Sequence, residues 1–187
     1  MIGNGPCSGF KVAALSIEDI RASANNVRRI LGINEPYQNI NIGLLLDKLN
    51  VEYNISYDVL EPDEMPHPEI EACWDPNSMT IYIRSDVFQK ACCNDPRGKF
   101  TVTHELGHCL LGHRRTINRS GADVAPKVYE DSEWQANQFA AEFLMPLQII
   151  QNLNLNDASK IKMHFDVSLP AATNREKQLK KRGELSC

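Results

Sequence analysis

Apolar side chains at Ile17, Ile20, Ala24, Val27, Ile30 and Leu31 recur at helical spacing, which predicts an amphipathic helix from Ser16 to Leu31. Ser16 is placed to cap it and Gly32 to stop it. A second helix is expected over Ile40 to Leu49, after a turn around Glu35-Pro36, and from Asn50 the stretch VEYNISYDVL reads as a strand. Prolines at 62, 66 and 68 make Glu61 to Pro68 a surface loop. EACW and MTIYIR flank Asp75-Pro76-Asn77-Ser78, the pattern of two antiparallel strands about a turn. Asp95-Pro96 then opens a helix whose buried face is Phe100, Thr103, Leu106, Gly107, Leu110 and Leu111. Polar Arg114 to Lys127, with Gly121 and Pro126, reads as a flexible loop, and a further helix runs from Glu130 to Leu144 until Pro146 closes it. These pieces predict an α+β fold: a small antiparallel three-stranded sheet packed on a helical core, with a C-terminal helical segment.

Composition narrows the function classes. A chain of 187 residues, 42% hydrophobic and 24% charged, can bury one core. A formal charge of −4 gives no global attraction to nucleic acid or anionic membrane. The six cysteines form no CxxC pair and no dense disulfide framework, so reduced thiols are expected. No apolar run approaches the roughly 20 residues of a membrane span, and Lys11 interrupts the only candidate leader. A soluble cytoplasmic protein is the expectation.

Chemistry concentrates in TVTHELGHCLLGH, from Thr101 to His113. Positions four apart share a helix face with Cβ atoms about 5–6 Å from one another, so His104 and His108 can turn their rings toward one ion. Glu105 lies about 100° around the same helix, placed to reach a water on the ion's open side rather than to ligate. A catalytic zinc has three protein ligands and a water. In EWQANQFAAEFLMP, Glu133 and Asn137 are one turn apart, opposite Trp134, Phe139, Ala140 and Phe143. Glu133 can ligate while the Asn137 carbonyl holds a histidine N–H, although Glu130, Asp131 and Glu142 are nearby alternatives for the third ligand.

HELGH preceded by KFTVT and followed some 25 residues on by ExxANxFAAEFLMP resembles the ImmA/IrrE family of zinc metallopeptidases. The similarity extends more loosely from about Ile17 to VSLPAATNRE, and Thr103 stands where that family usually has alanine. The resemblance implies one zinc per chain on His104, His108 and Glu133, with Glu105 catalytic. It also implies a protein substrate, a helix-turn-helix repressor cleaved at a limited site, in an antirepressor role for mobile-element or stress-response genes. The chain then divides into a flexible N-terminus (1–15), a zincin-like domain (16–150) and a helical extension packed on the same domain (151–187). No separate sensor or helix-turn-helix domain is evident.

Tyr129, His113 and His164 are candidates to touch substrate or its oxyanion, with His113 read as a solvated residue past the helix end. Cys109 reads as a buried thiol. A substrate strand is expected along the edge of Met79 to Arg84. The competing reading is a DNA- or partner-binding module with a non-catalytic metal site. DASKIKMHF and LPAATNREKQLKKR could form a helix pair, and Asp157 to Arg182 holds seven basic residues against three acidic. That modest excess makes direct nucleic-acid binding the lesser reading.

Overall fold

A computed structural model describes residues 9–33, 40–114 and 127–185. Helix α1 spans Ile17–Ile30; Ser16 Oγ accepts from Asp19 N while the Asp19 carboxylate accepts from Ser16 N, a closed capping box. Helix α2 runs Ile42–Tyr53, capped by Asn41 and stopped by Asn54 in the left-handed region. It is longer than expected: Val51, Glu52 and Tyr53 are helical, not strand, because no glycine or proline interrupts the run before Asn54 turns the chain. The turn at Glu35-Pro36 and most of the loop from Arg114 to Lys127 lie outside the described residues.

Strands β1 (Ser56–Leu60), β2 (Ala72–Asp75) and β3 (Thr80–Arg84) form a sheet in the order β1-β3-β2. The β2–β3 hairpin is antiparallel as expected, but β1 pairs parallel with β3, so the sheet is mixed rather than wholly antiparallel. The connection 61–71 carries the chain past the end of β3 to the far edge, and the hairpin then returns through the middle. Central β3 buries Ile81 and Ile83 completely and has a neighbour on both sides, which removes it as the docking edge for a substrate strand.

Helix α3 (Ser85–Cys92) leads to α4 (Pro96–Leu110), where the Asp95 carboxylate accepts from Gly98 N at 2.8 Å. A 3-10 turn at Val128–Glu130 precedes α5 (Ser132–Leu144), capped by Asp131. A Cβ at Gly107 would stand 3.2 Å from the Ala136 backbone, so the glycine of HELGH is what lets α4 and α5 approach closely. Val102, Leu106, Phe139 and Phe143 fill that contact with no exposure. Helices α6 (Leu147–Asn152), α7 (Ala158–Phe165) and α8 (Leu169–Lys181) follow. Arg175 of α8 grips Glu142 of α5 with two bonds, 2.8 and 2.7 Å, both side chains fully buried.

Residues 9–15 are not a free tail. Phe10 and Ser132 exchange bonds, Val12 N donates to Glu130 O, and Leu15 N donates to Tyr129 O, so the segment straps the start of α5. Among the described residues, no helix is long and apolar enough to cross a membrane.

Candidate metal centre

Helix α4 carries His104 and His108 on one face, and the first turn of α5 brings Glu133 against them. His104 Nε2 stands 3.1 Å from Glu133 Oε2 and 3.1 Å from His108 Nε2, and His108 Nε2 stands 3.3 Å from Glu133 Oε1. Three corners of a tetrahedron with ligand bonds of 2.0–2.1 Å are about 3.3 Å apart, so this nitrogen, nitrogen, oxygen set fits a zinc-sized ion. Among the described residues it is the one group of three such side chains able to hold a metal.

The hydrogen-bond partners fix which ring nitrogens face the centre. Gln135 Nε2 donates to two backbone carbonyls, Ala13 O at 2.7 Å and Tyr129 O at 2.8 Å, which settles that its Oε1 accepts. His113 Nε2 lies 2.9 Å from that oxygen and must donate, so neutral His113 has its lone pair on Nδ1. His108 Nδ1, 2.9 Å away, then donates to His113, leaving its own lone pair on Nε2 at the centre. On the other histidine, His104 Nδ1 donates to Asn137 Oδ1 at 3.1 Å, with the same result.

His113, expected to be solvated, is therefore buried at 3% exposure and held by His108 and Gln135. The cause is the helix end: Gly112 sits at φ +69° and His113 N donates to His108 O, folding the ring back beneath the helix it has just left. Burial pushes His113 down to about 4, which keeps it neutral and able to accept.

Charges in the centre are mutually adjusted. Burial alone would raise Glu133, but without an ion, when a ring Nε2 carries a proton and donates to the carboxylate, the contacts with His104 and His108 outweigh it and bring the carboxyl down to about 2. Burial works against the His104 cation, yet Glu133, Glu105 and Asn137 together raise it above its ordinary value. Glu105, 9% exposed, is raised chiefly by burial, and its Oε2 accepts the Trp74 N–H of edge strand β2 at 2.9 Å.

The family described as IrrE N-terminal-like domain, Peptidase_M78, matches residues 73–177. This chain belongs to that family. No curated protein matches it. Among solved structures, a Mycobacterium tuberculosis transcriptional regulator shares the fold, with a TM-score of 0.51 at 14% identity over 83% of this chain and 45% of that one. The chain thus spans less than half the length of that regulator.

Other anticipated residues of this IrrE-like chain fall outside the convergent group. Tyr129 is 43% exposed before α5, its ring under Lys127 Nζ, and His164 lies on α7 edge-to-face with Phe165. Cys109 is buried, which pushes its thiol up to about 12. Thr103, in place of the usual alanine, is buried with its hydroxyl donating to Lys99 O at 2.7 Å, one turn back along α4. Gln135 lies inside the second motif and Trp74 is 31 residues before Glu105, and nothing in the sequence marks either.

Proposed function

We propose that this chain is a zinc-dependent metallo-endopeptidase that cleaves a helix-turn-helix transcriptional repressor at a limited site. The observation that carries the reading is the convergence of His104, His108 and Glu133 at tetrahedral edge lengths, with Glu105 buried beside them. Family membership supports peptidase chemistry, and the repressor substrate follows from what members of the family act on. Zinc in this site supplies a Lewis acid that activates water and polarises a peptide carbonyl.

Glu105 takes the proton of the attacking water and returns it to the leaving amine. Burial raises its basicity toward that task, and the Trp74 N–H holds one oxygen so that the carboxyl keeps its orientation. His113 and Asn137 orient the two histidine rings. With β3 enclosed, the substrate strand is assigned to the outer edge of β2, whose Trp74 already touches Glu105.

The C-terminal helices weigh less as a DNA surface than their sequence suggested. Arg175 is locked in the interior by Glu142, and Lys180 pairs with Glu176.

Metal analysis without chelators tests the reading. Wild type and Glu105→Gln are each expected to hold about one zinc, and Glu133→Gln and His104→Ala to lose most of it. Co-expression with candidate repressors then gives one clipped product with wild type and none with Glu105→Gln. Zinc-free wild type, offered zinc and still empty, would remove the foundation.

A further inference from the structure

A cleft of about 650 Å³ opens between α4, α5 and α8, within the range of ligand-binding pockets. It adjoins the metal centre: Asn137, in its wall, holds the His104 ring, and the Phe100 ring in another wall lies 6.4 Å, centre to centre, from that of His104. Trp134, the neighbour of Glu133, and Met145 add apolar surface.

Two glutamines in the lining are unusual. Gln138 is 4% exposed, and its Oε1 is buried with no hydrogen-bond partner among the described residues; Gln178 Oε1 is in the same condition. A buried amide carbonyl without a donor loses its water without replacement, and such groups in native proteins call for a reason. The charged lining residues do not supply one. Arg175 is saturated by Glu142, and Arg97 pairs with Glu71 at 2.7 Å. Among the described residues no carboxylate lines the cleft to receive a cation, and both guanidinium groups are already paired.

We infer that this cleft is the specificity pocket for one substrate side chain, and that it selects a neutral amide on an apolar stem, glutamine above all. The stem lies along Phe100 and Trp134, and the amide N–H groups answer the carbonyl oxygens of Gln138 and Gln178 once the two side chains turn those oxygens, sealed from solvent in the empty cleft, toward the occupant. A norleucine stem leaves those carbonyls unanswered, and a lysine brings a charge that nothing in the lining neutralises. The inference rests on the peptidase reading, because it takes the occupant from a peptide held at the metal.

Hydroxamates test it without any turnover, since the hydroxamate group chelates an open zinc. Two series are titrated into the zinc-loaded chain by calorimetry: N-acetylaminoacyl hydroxamates and succinyl hydroxamates, which extend to opposite sides of the metal. Each carries a glutamine, norleucine, glutamate or lysine side chain. In one series the glutamine compound is expected to bind about tenfold more tightly than the norleucine one. That preference should shrink to within about twofold in Gln138→Leu and in half-buried Gln178→Leu, each checked for unchanged zinc content and helicity. Indifference to the side chain in both series, or a preference that survives both variants, overturns the pocket and leaves the metal reading standing. Failure of every hydroxamate to bind the zinc-loaded chain overturns the open metal site, and the pocket loses its occupant with it.

Discussion

Helix α5 carries two polar clusters, and they are built on opposite plans. Near its start, Glu133 faces two histidine nitrogens whose lone pairs converge with its oxygens on one point. Near its end, Glu142 is saturated by Arg175 through two bonds and by Arg21 through a third at 3.1 Å. The second cluster neutralises itself and ties α1, α5 and α8 together. The first collects acceptors with nothing but protons to share among them, which is the condition of a site built for a cation. One helix thus serves as anchor at one end and ligand at the other.

The sharpest way to separate the two is to break the anchor. Glu142→Ala leaves the Arg175 charge buried without a carboxylate, its Nε held only by Met145 O, and is expected to cost about 3–5 kcal/mol in urea unfolding. Zinc per folded chain should stay near one. A Glu142→Ala protein of wild-type stability would show that the cluster does not clamp the helices.

Glu133→Gln is the converse. The loss of a charged ligand should weaken zinc binding by more than about 100-fold, beyond the 10–100-fold that follows removal of an outer partner, while the metal-free protein keeps its fold. Competition with a chromogenic chelator measures it. Comparable zinc affinity in Glu133→Gln and wild type would return the third-ligand role to another acid.

Within the metal cluster, the two histidines are supported unequally. His108 is braced through buried His113 and Gln135 to two backbone carbonyls, whereas the Nδ1 of His104 leans on exposed Asn137. Zinc affinity should therefore fall toward the upper part of the 10–100-fold range in His113→Ala and toward the lower part in Asn137→Ala. Equal losses would mean that the longer brace adds nothing. Nitrogen-15 NMR of the histidine rings in the metal-free protein offers a direct check: His108 should carry its proton on Nδ1 in wild type and become a tautomer mixture in Gln135→Leu.

What could be read from sequence was what depends on neighbours along the chain. The spacing of His104 and His108, the Asp95-Pro96 start and the Ser16 cap are local, and each stands where periodicity and capping chemistry put it. The α+β class and the family were legible for the same reason. The parallel pairing of β1 was not, because strand order depends on how the connection 61–71 crosses the sheet. Nor was the Gln135 link to Ala13, which joins residues 122 apart. His113 lies between these cases. Gly112 announces a helix end that folds the next residue back, and the motif HxxxGH could have been read as a histidine returned to its own helix.

Acidity gives the smallest test and sets the two clusters apart once more. In the metal-free protein, Glu133 is lowered from 4.5 to about 2, so its contribution is complete above 4.5 and fades as the pH falls toward 2. His104 is raised above 6.5, so its contribution is complete below that value and is lost as the pH rises through the higher folded value. The ligand cluster therefore helps the metal-free fold most between those limits. Glu142 is also lowered, so the anchor weakens on the acid side. Zinc reverses the alkaline trend, since it needs the histidines unprotonated. Melting curves at about pH 5.5 and pH 8 should show the metal-free protein losing stability toward alkali, with the loss reduced in Glu133→Gln, and a zinc-induced gain in Tm that is larger at the higher pH. A zinc gain that shrinks toward alkali would mean that the ion binds somewhere other than these two rings.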